Sequence, residues 1–158
     1  MGSYSIFSDK KLIKYGTFET HLDNEIARDN AIKIWLLSLI ENWQPDLIAI
    51  EGIQLQETSD GKRLMGVTVY ETLARLQGIL METCFENKIP YALCPTNTWR
   101  AHCKVKGKTR TDRKRSAQLI IKDLYDITIS DDESDAILIG KYASDTHSPV
   151  VEVTNWEI

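Results

Sequence analysis

The chain has 158 residues, of which 42% are apolar and 27% charged, with a net charge of -4 and three cysteines. That length suits one domain, burying roughly 70% of the surface its unfolded form would expose, so no disulfide framework is needed to hold it. The longest apolar stretch, Ile32 to Ile40, is broken by Lys33 and Ser38 and is too short to span a bilayer, and no basic-then-apolar leader opens the sequence, so a soluble cytosolic protein with no membrane partner is expected.

Tyr4-Ser-Ile-Phe7, the polar Ser8-Asp9-Lys10-Lys11 and Leu12 to Phe18 read as a β-hairpin. Asp23 or Asn24 can cap a helix running to about Asn42, with Pro45 as its stop. Its far half, Ile32 to Ile40, is apolar on nearly every side and is expected to be buried. Leu47 to Ile50 has no polar alternation, as in a parallel strand covered on both faces, and Glu51 ends it. After a polar segment with Gly52, Ser59, Asp60 and Gly61, the residues Leu64, Val67, Leu73, Leu76, Leu80 and Cys84 recur at helical spacing to about Asn87, which predicts a crossover helix. Pro90 to Cys94 makes a second buried strand, and Pro95 to Lys108 a loop or short helix. Thr111 to Tyr125 reads as a basic helix with Ala117, Leu119, Ile120 and Leu124 on its apolar side, and a last helix runs from about Asp131 to Ala143. Hairpin, helix, strand, helix, strand, helix, helix is the order of a mixed α/β sheet flanked by helices.

Charge is unevenly placed. Arg100, Lys104, Lys106, Lys108, Arg110, Arg113, Lys114 and Arg115 face the single acid Asp112 within one stretch, the electrostatic footprint of a phosphate backbone. A solvated loop and helix face would account for the same run. Three carboxylates stand out: Glu51 at the carboxyl end of a strand, where open α/β sheets bind ligands, and Asp132 and Asp135, three apart on one helix face. They read as part of a site for Mg²⁺ or Mn²⁺, hard cations that take oxygen ligands. Zinc is not expected, because His21, His102 and His147 are scattered and the cysteines form no Cys-x-x-Cys pair, so Cys84, Cys94 and Cys103 read as reduced thiols. Ser130-Asp-Asp-Glu133 is also a capping box whose acids suit a helix dipole without any metal. Trp99 and Tyr91 read as core or anchoring aromatics.

Ile48-Ala-Ile-Glu51 before a long helix, the strand ending before Pro95, the basic segment and the terminal Asp132-x-x-Asp135-Ala together resemble the RuvC family of Holliday-junction resolvases, within the ribonuclease H-like superfamily. The resemblance extends over nearly the whole chain and is strongest to resolvases encoded by phages, which would place the protein in the cytoplasm of a bacterial host. It implies a ribonuclease H-like mixed sheet, a homodimer joined through the long helix from Leu64 to Asn87, branched DNA as partner, above all four-way junctions, and hydrolysis of a phosphodiester. It makes Glu51, Asp132 and Asp135 metal ligands and Lys114 the lysine near the scissile phosphate.

Two departures qualify it. Family members begin with a strand of the form apolar-Gly-Ile-Asp followed by Thr-Gly-Tyr, and Gly2 to Ile6 matches only the second part. The central strand carrying the first catalytic Asp would lie upstream of Met1, and Asp9, in the hairpin turn, is no substitute. Where bacterial members carry an aromatic wedge three positions after the Glu, this chain has Gln54, which implies weaker discrimination between junctions and forks. A branched-DNA-binding module without cleavage and a ribonuclease H-like nuclease acting on another nucleic acid stay open beside the resolvase. A structural protein on this fold has no positive signal.

Overall fold

The structure, a computed structural model, describes residues 2–54 and 66–147. In chain order the elements are β1 (Gly2–Ser8), β2 (Lys11–Phe18), α1 (Glu25–Trp43), β3 (Ile48–Gly52), α2 (Val67–Glu86), β4 (Tyr91–Pro95), α3 (Thr96–His102), α4 (Arg110–Tyr125) and α5 (Asp131–Thr146). The expected order holds throughout. Among the described residues the strands make two hydrogen-bonded pairs, β1 with β2 antiparallel and β3 with β4 parallel, small sheets flanked by helices in a mixed α/β fold. The chain gathers into two compact units, one comprising the residues up to Thr20 with those from Thr96 onward, the other His21–Pro95.

In the first unit β1 and β2 pair antiparallel from Gly2↔Phe18 to Ser8↔Lys11, with an irregularity between Ile6 and Phe7. Their two-residue loop, Asp9 and Lys10, has φ of 49° and 62°, the left-handed pair of a type I′ turn, whose twist matches that of the strands it joins. Helix α5 packs on β1 and β2, and α3 and α4 pack on α5. The core is made by Trp99, Ala117, Ile121, Ile137 and Leu138, each at most 1% exposed. Ser5 Oγ donates 2.7 Å to the carbonyl of Ala136, and the Phe7 ring meets Tyr125 edge-on. On the other side of α5, Asp145 accepts from Lys141 Nζ at 2.7 Å and is hydrogen-bonded to His102 Nε2 at 2.9 Å, which joins α3 to α5. Burial disfavours the charge of Asp145, but these two hydrogen bonds more than offset that, and its carboxyl sits below its ordinary value.

In the second unit β3 and β4 run parallel from Ile48↔Tyr91 to Gly52↔Pro95, with α2 as the crossover of a βαβ unit. Asn24 caps α1 by accepting from the amide of Ala27, and Gln44 ends it in the left-handed region at φ 45°. Arg75 of α2 ties the helices together, donating 2.6 Å to the buried Asp29 of α1. All three cysteines are buried and free, as expected of reduced thiols. Burial pushes the Cys84 and Cys103 thiols up to about 11.

Several expectations are corrected. The far half of α1 is only partly covered: Leu36 is buried but Ile34 is exposed, because an all-round apolar stretch presents more surface than one neighbouring helix can cover. The β3–β4 pair is not sealed on both faces, since Glu51 and Leu93 are exposed. On α4 the buried pair is Ala117 and Ile121, while Leu119 and Leu124 point to solvent. Position 119 lies on the opposite side of the helix from 117 and 121, whereas 124, three after 121 and seven after 117, is on their face and is exposed in the last turn of α4. β3 runs one residue past Glu51 to Gly52, Pro95 belongs to β4, residues 96–102 are helical, and α5 continues to Thr146. Ser59, Asp60 and Gly61 and the expected helix start at Leu64 lie outside the described residues.

Gly140 of α5 faces β1 so closely that a Cβ there would strike Ser5 Oγ and reach within 2.7 Å of the Phe7 ring. Gly78 of α2 has open space around it. Glycine to alanine inside a helix ordinarily stabilises by about 1 kcal/mol, and the two sites are expected to differ in sign. Gly78→Ala should gain about 0.5 to 1 kcal/mol, whereas Gly140→Ala should lose about 1 to 3 kcal/mol by overpacking. Urea unfolding, run where the midpoint does not depend on protein concentration, reads both.

Candidate metal and nucleic-acid site

Four acids in the first five residues of α5 have different employments. Ser130 accepts from the amide of Glu133, and Glu133 Oε2 in turn accepts from the Ser130 amide and hydroxyl at 3.1 and 2.8 Å, a closed capping box. Asp131 is held from α4. Its Oδ2 accepts from Lys114 Nζ at 2.6 Å and its Oδ1 from Gln118 Nε2 at 3.0 Å, while the same Gln118 nitrogen donates to the carbonyl of Ile129. Asp132 is exposed and makes no hydrogen bond or ion pair among the described residues. Asp135, half-buried one turn further on, shares its helix face by spacing and has an interaction of its own. Capping and packing thus account for Glu133 and Asp131. They leave Asp132 unexplained.

Lys114 comes to this helix start through Asp131, a contact across seventeen positions that no local pattern announces. Around it the basic segment is built as follows. Thr109 caps α4 reciprocally with Asp112, and those hydrogen bonds hold the Asp112 carboxyl below its usual value. Lys104, Lys106, Lys108, Arg110 and Arg115 are exposed. Arg100 lies over the Trp99 ring at 5.1 Å, within cation–π range. Trp99 itself is fully buried, as expected of a core aromatic. Arg113 is turned toward the chain, its Nη1 donating 3.1 Å to the carbonyl of Lys108.

Glu51 belongs to the other unit. It is exposed near the carboxyl end of β3, paired in register with Cys94 of β4; burial, then the charge of Glu51, raises the Cys94 thiol. Gln54, also exposed, lies two residues past the strand. These carboxylates are all oxygen donors, which suits a hard divalent cation. Among the described residues, neither unit gathers three His, Cys, Asp or Glu side chains into a metal-binding group.

An antiparallel hairpin packed on a capped helix in one unit and a parallel βαβ element in the other make a mixed α/β fold with small sheets flanked by helices. Within that class the chain is similar to RuvC. A structure of T. thermophilus RuvC in complex with a Holliday junction substrate matches with a TM-score of 0.63 at 12% identity, over 86% of this chain and 80% of that one. The Thermus thermophilus RuvC structure matches with a TM-score of 0.60 at 13% identity, over 84% and 78%. No protein-family model matches the sequence, and no curated protein does.

The partition of acids on α5 has a measurable consequence. Asp132→Asn should leave stability within about 0.5 kcal/mol, the loss of a modest helix-dipole contribution. Ser130→Ala, which opens the capping box, should cost about 1 kcal/mol. Chemical denaturation of the two variants checks this, and an Asp132→Asn cost as large as that of Ser130→Ala would give Asp132 a structural part.

Proposed function

We propose that the chain is a metal-dependent, structure-selective endonuclease that resolves Holliday junctions and other branched DNA by hydrolysing a phosphodiester, its two units forming one nuclease domain. The observation that carries this reading is the fold likeness, over 86% of the chain, to a RuvC whose structure contains a Holliday junction substrate. The unemployed carboxylate of Asp132 and the exposed basic segment support it.

Glu51, Asp132 and Asp135 would hold Mg²⁺ or Mn²⁺. Such ions supply a water activated near neutral pH and stabilise charge at the leaving oxygen. The chain's own residues do the rest. Lys104, Lys106, Lys108, Arg110 and Arg115 hold the phosphate backbone, and Lys114, already at the start of α5, sets a positive charge beside the scissile phosphate. A homodimer through α2 brings two such surfaces to one four-way junction. Val67 and Phe85, both exposed on α2 and five turns apart on one face, support that contact, and the open Gly78 lies along the same face.

The test uses a synthetic four-way junction. Wild-type protein should cut it with Mg²⁺ or Mn²⁺ and stop on chelation. Asp132→Asn and Glu51→Gln should each lower cleavage by roughly a hundredfold or more while binding persists. Reversing the charge of Lys108 and Lys114 should weaken binding and flatten its salt dependence by about two phosphate contacts. Binding without cleavage in the wild type would leave a branched-DNA-binding protein, and the absence of both would end the reading.

Selectivity gives a second expectation. Gln54 cannot supply the stacking area of an aromatic wedge, which is worth roughly 1 to 3 kcal/mol per base. Forks, flaps and four-way junctions should therefore bind comparably, and Gln54→Phe should shift preference toward four-way junctions. Competition binding at fixed salt reads the change; a strong intrinsic preference of the wild type for four-way junctions would assign the wedge to another residue.

A further inference from the structure

The basic residues of the first unit divide into two groups by what their side chains touch. Lys104, Lys106, Lys108 and Arg110 are exposed. Arg113 is not free in that way: its Nη1 donates to the carbonyl of Lys108 at 3.1 Å and reaches that of Gly107 at 3.5 Å, and its Nε is buried with no hydrogen-bond partner. The segment between α3 and α4 is fastened elsewhere too. The amide of Lys106 donates 2.9 Å to Ser116 Oγ, one turn further along α4, and the amides of Lys104 and Val105 bond back to the carbonyls of Ala101 and Arg100. Gly107 has φ of +143°, and a Cβ there would come within 2.6 Å of Asp112 Cβ and 2.7 Å of the Arg113 amide. The loop therefore lies directly on the first turns of α4, in a backbone conformation that side chains rarely adopt.

We infer that Arg113 and Ser116 are positioning residues: they fasten the 104–109 loop to α4 so that Lys104, Lys106 and Lys108 are presented to a nucleic-acid backbone in one fixed arrangement, and Arg113 does not itself contact phosphate. The inference rests on the proposed nucleic-acid reading. Its physical basis is pre-organisation. With Nη1 of Arg113 engaged by two loop carbonyls, its planar guanidinium is held in one orientation against the loop, whereas a lysine-bearing loop left loose would lose conformational freedom on every binding event.

The roles separate in two measurements on the full chain. Without DNA, amide hydrogen exchange across residues 104–109 should be about tenfold faster or more in Arg113→Met, as a local opening becomes easier. In Ser116→Ala, a milder change that keeps every charge, the Lys106 amide should lose its protection. With a four-way junction, the salt dependence of affinity counts phosphate contacts. Lys108→Met should lower the log–log slope by about one. Arg113→Met should weaken binding several-fold at an unchanged slope, although it removes the same charge. A slope reduced as much in Arg113→Met as in Lys108→Met would make Arg113 a phosphate contact and overturn the inference. Unchanged exchange in both Arg113→Met and Ser116→Ala would overturn it as well, as would a loosened loop that bound with wild-type affinity. Wild-type protein with no salt-sensitive affinity for the junction would sink the nucleic-acid reading itself, a result distinct from all of these.

Discussion

The contact on which the first unit depends is the approach of α5 to β1 at Gly140. A helix can lie that close to a strand only where no Cβ intervenes, and there Ser5 Oγ and the Phe7 ring occupy the space that a side chain would need. The Ser5 hydroxyl adds a hydrogen bond to the carbonyl of Ala136, one turn earlier. With the strand pressed against one side, α5 buries Ser134, Ile137, Leu138 and Ala143 within three turns. Both rotation and slide of the helix are thereby fixed, since either would move a buried side chain out of its contacts or drive Gly140 into Phe7. What emerges at its N-terminus is set by this packing. Asp132 faces solvent because its neighbour two positions on, Ser134, faces the core.

The acids of that N-terminus show how a functional reading is separated from a structural one. Acidic residues in a first helical turn are favoured by the dipole whatever else they do, so their presence alone decides nothing. Their partners decide more. Glu133 closes the cap and Asp131 receives both Lys114 and Gln118, roles that stabilise the helix start and the junction with α4. The Lys114–Asp131 pair is partly exposed, with 27% and 43% of the two side chains accessible, and pairs of that exposure contribute only about 0 to 1 kcal/mol. Its larger consequence is placement, since it holds a lysine on Asp131, the sequence neighbour of the one acid of the first turn to which folding gives no partner among the described residues.

Local patterns carried most of the architecture in the sequence. The hairpin was legible from two apolar runs around Ser8 to Lys11, α1 from Asn24 and Pro45, and the start of α5 from Ser130 and Glu133, because each is written in residues a few positions apart. The Thr109–Asp112 box has the same form and stands equally in the sequence, but a run of positive charge around it draws attention to binding before capping. Burial was less legible. Ala117 and Ile121 form the inner stripe of α4 while Leu119 and Leu124 stay outside, and a helix with apolar residues over more than a third of its circumference does not say which subset meets the core. The exposed Ile34 of α1 has the same origin. The contacts that give the site its character, Lys114 to Asp131 and Arg113 to the Lys108 carbonyl, depend on how a helix is rotated and where a loop turns back. No periodicity in the chain encodes either.

That a fold persists at 12% identity while no family model matches follows from where the constraints lie. Core positions ask for apolar volume of about the right size rather than for one residue, caps accept any of several short polar side chains, and strands need only the alternation or continuity that their faces demand. Such requirements can be met by sequences that share almost nothing position by position. The exceptions are sites where geometry admits a single solution. In the first unit these are Gly140, where any side chain meets β1, and Gly107, whose φ of +143° and crowding by Asp112 and Arg113 exclude a Cβ. One sets the helix that carries the acids and the other sets the loop that carries the lysines, so the two glycines, which bring no chemistry themselves, determine where the charged groups of this unit stand.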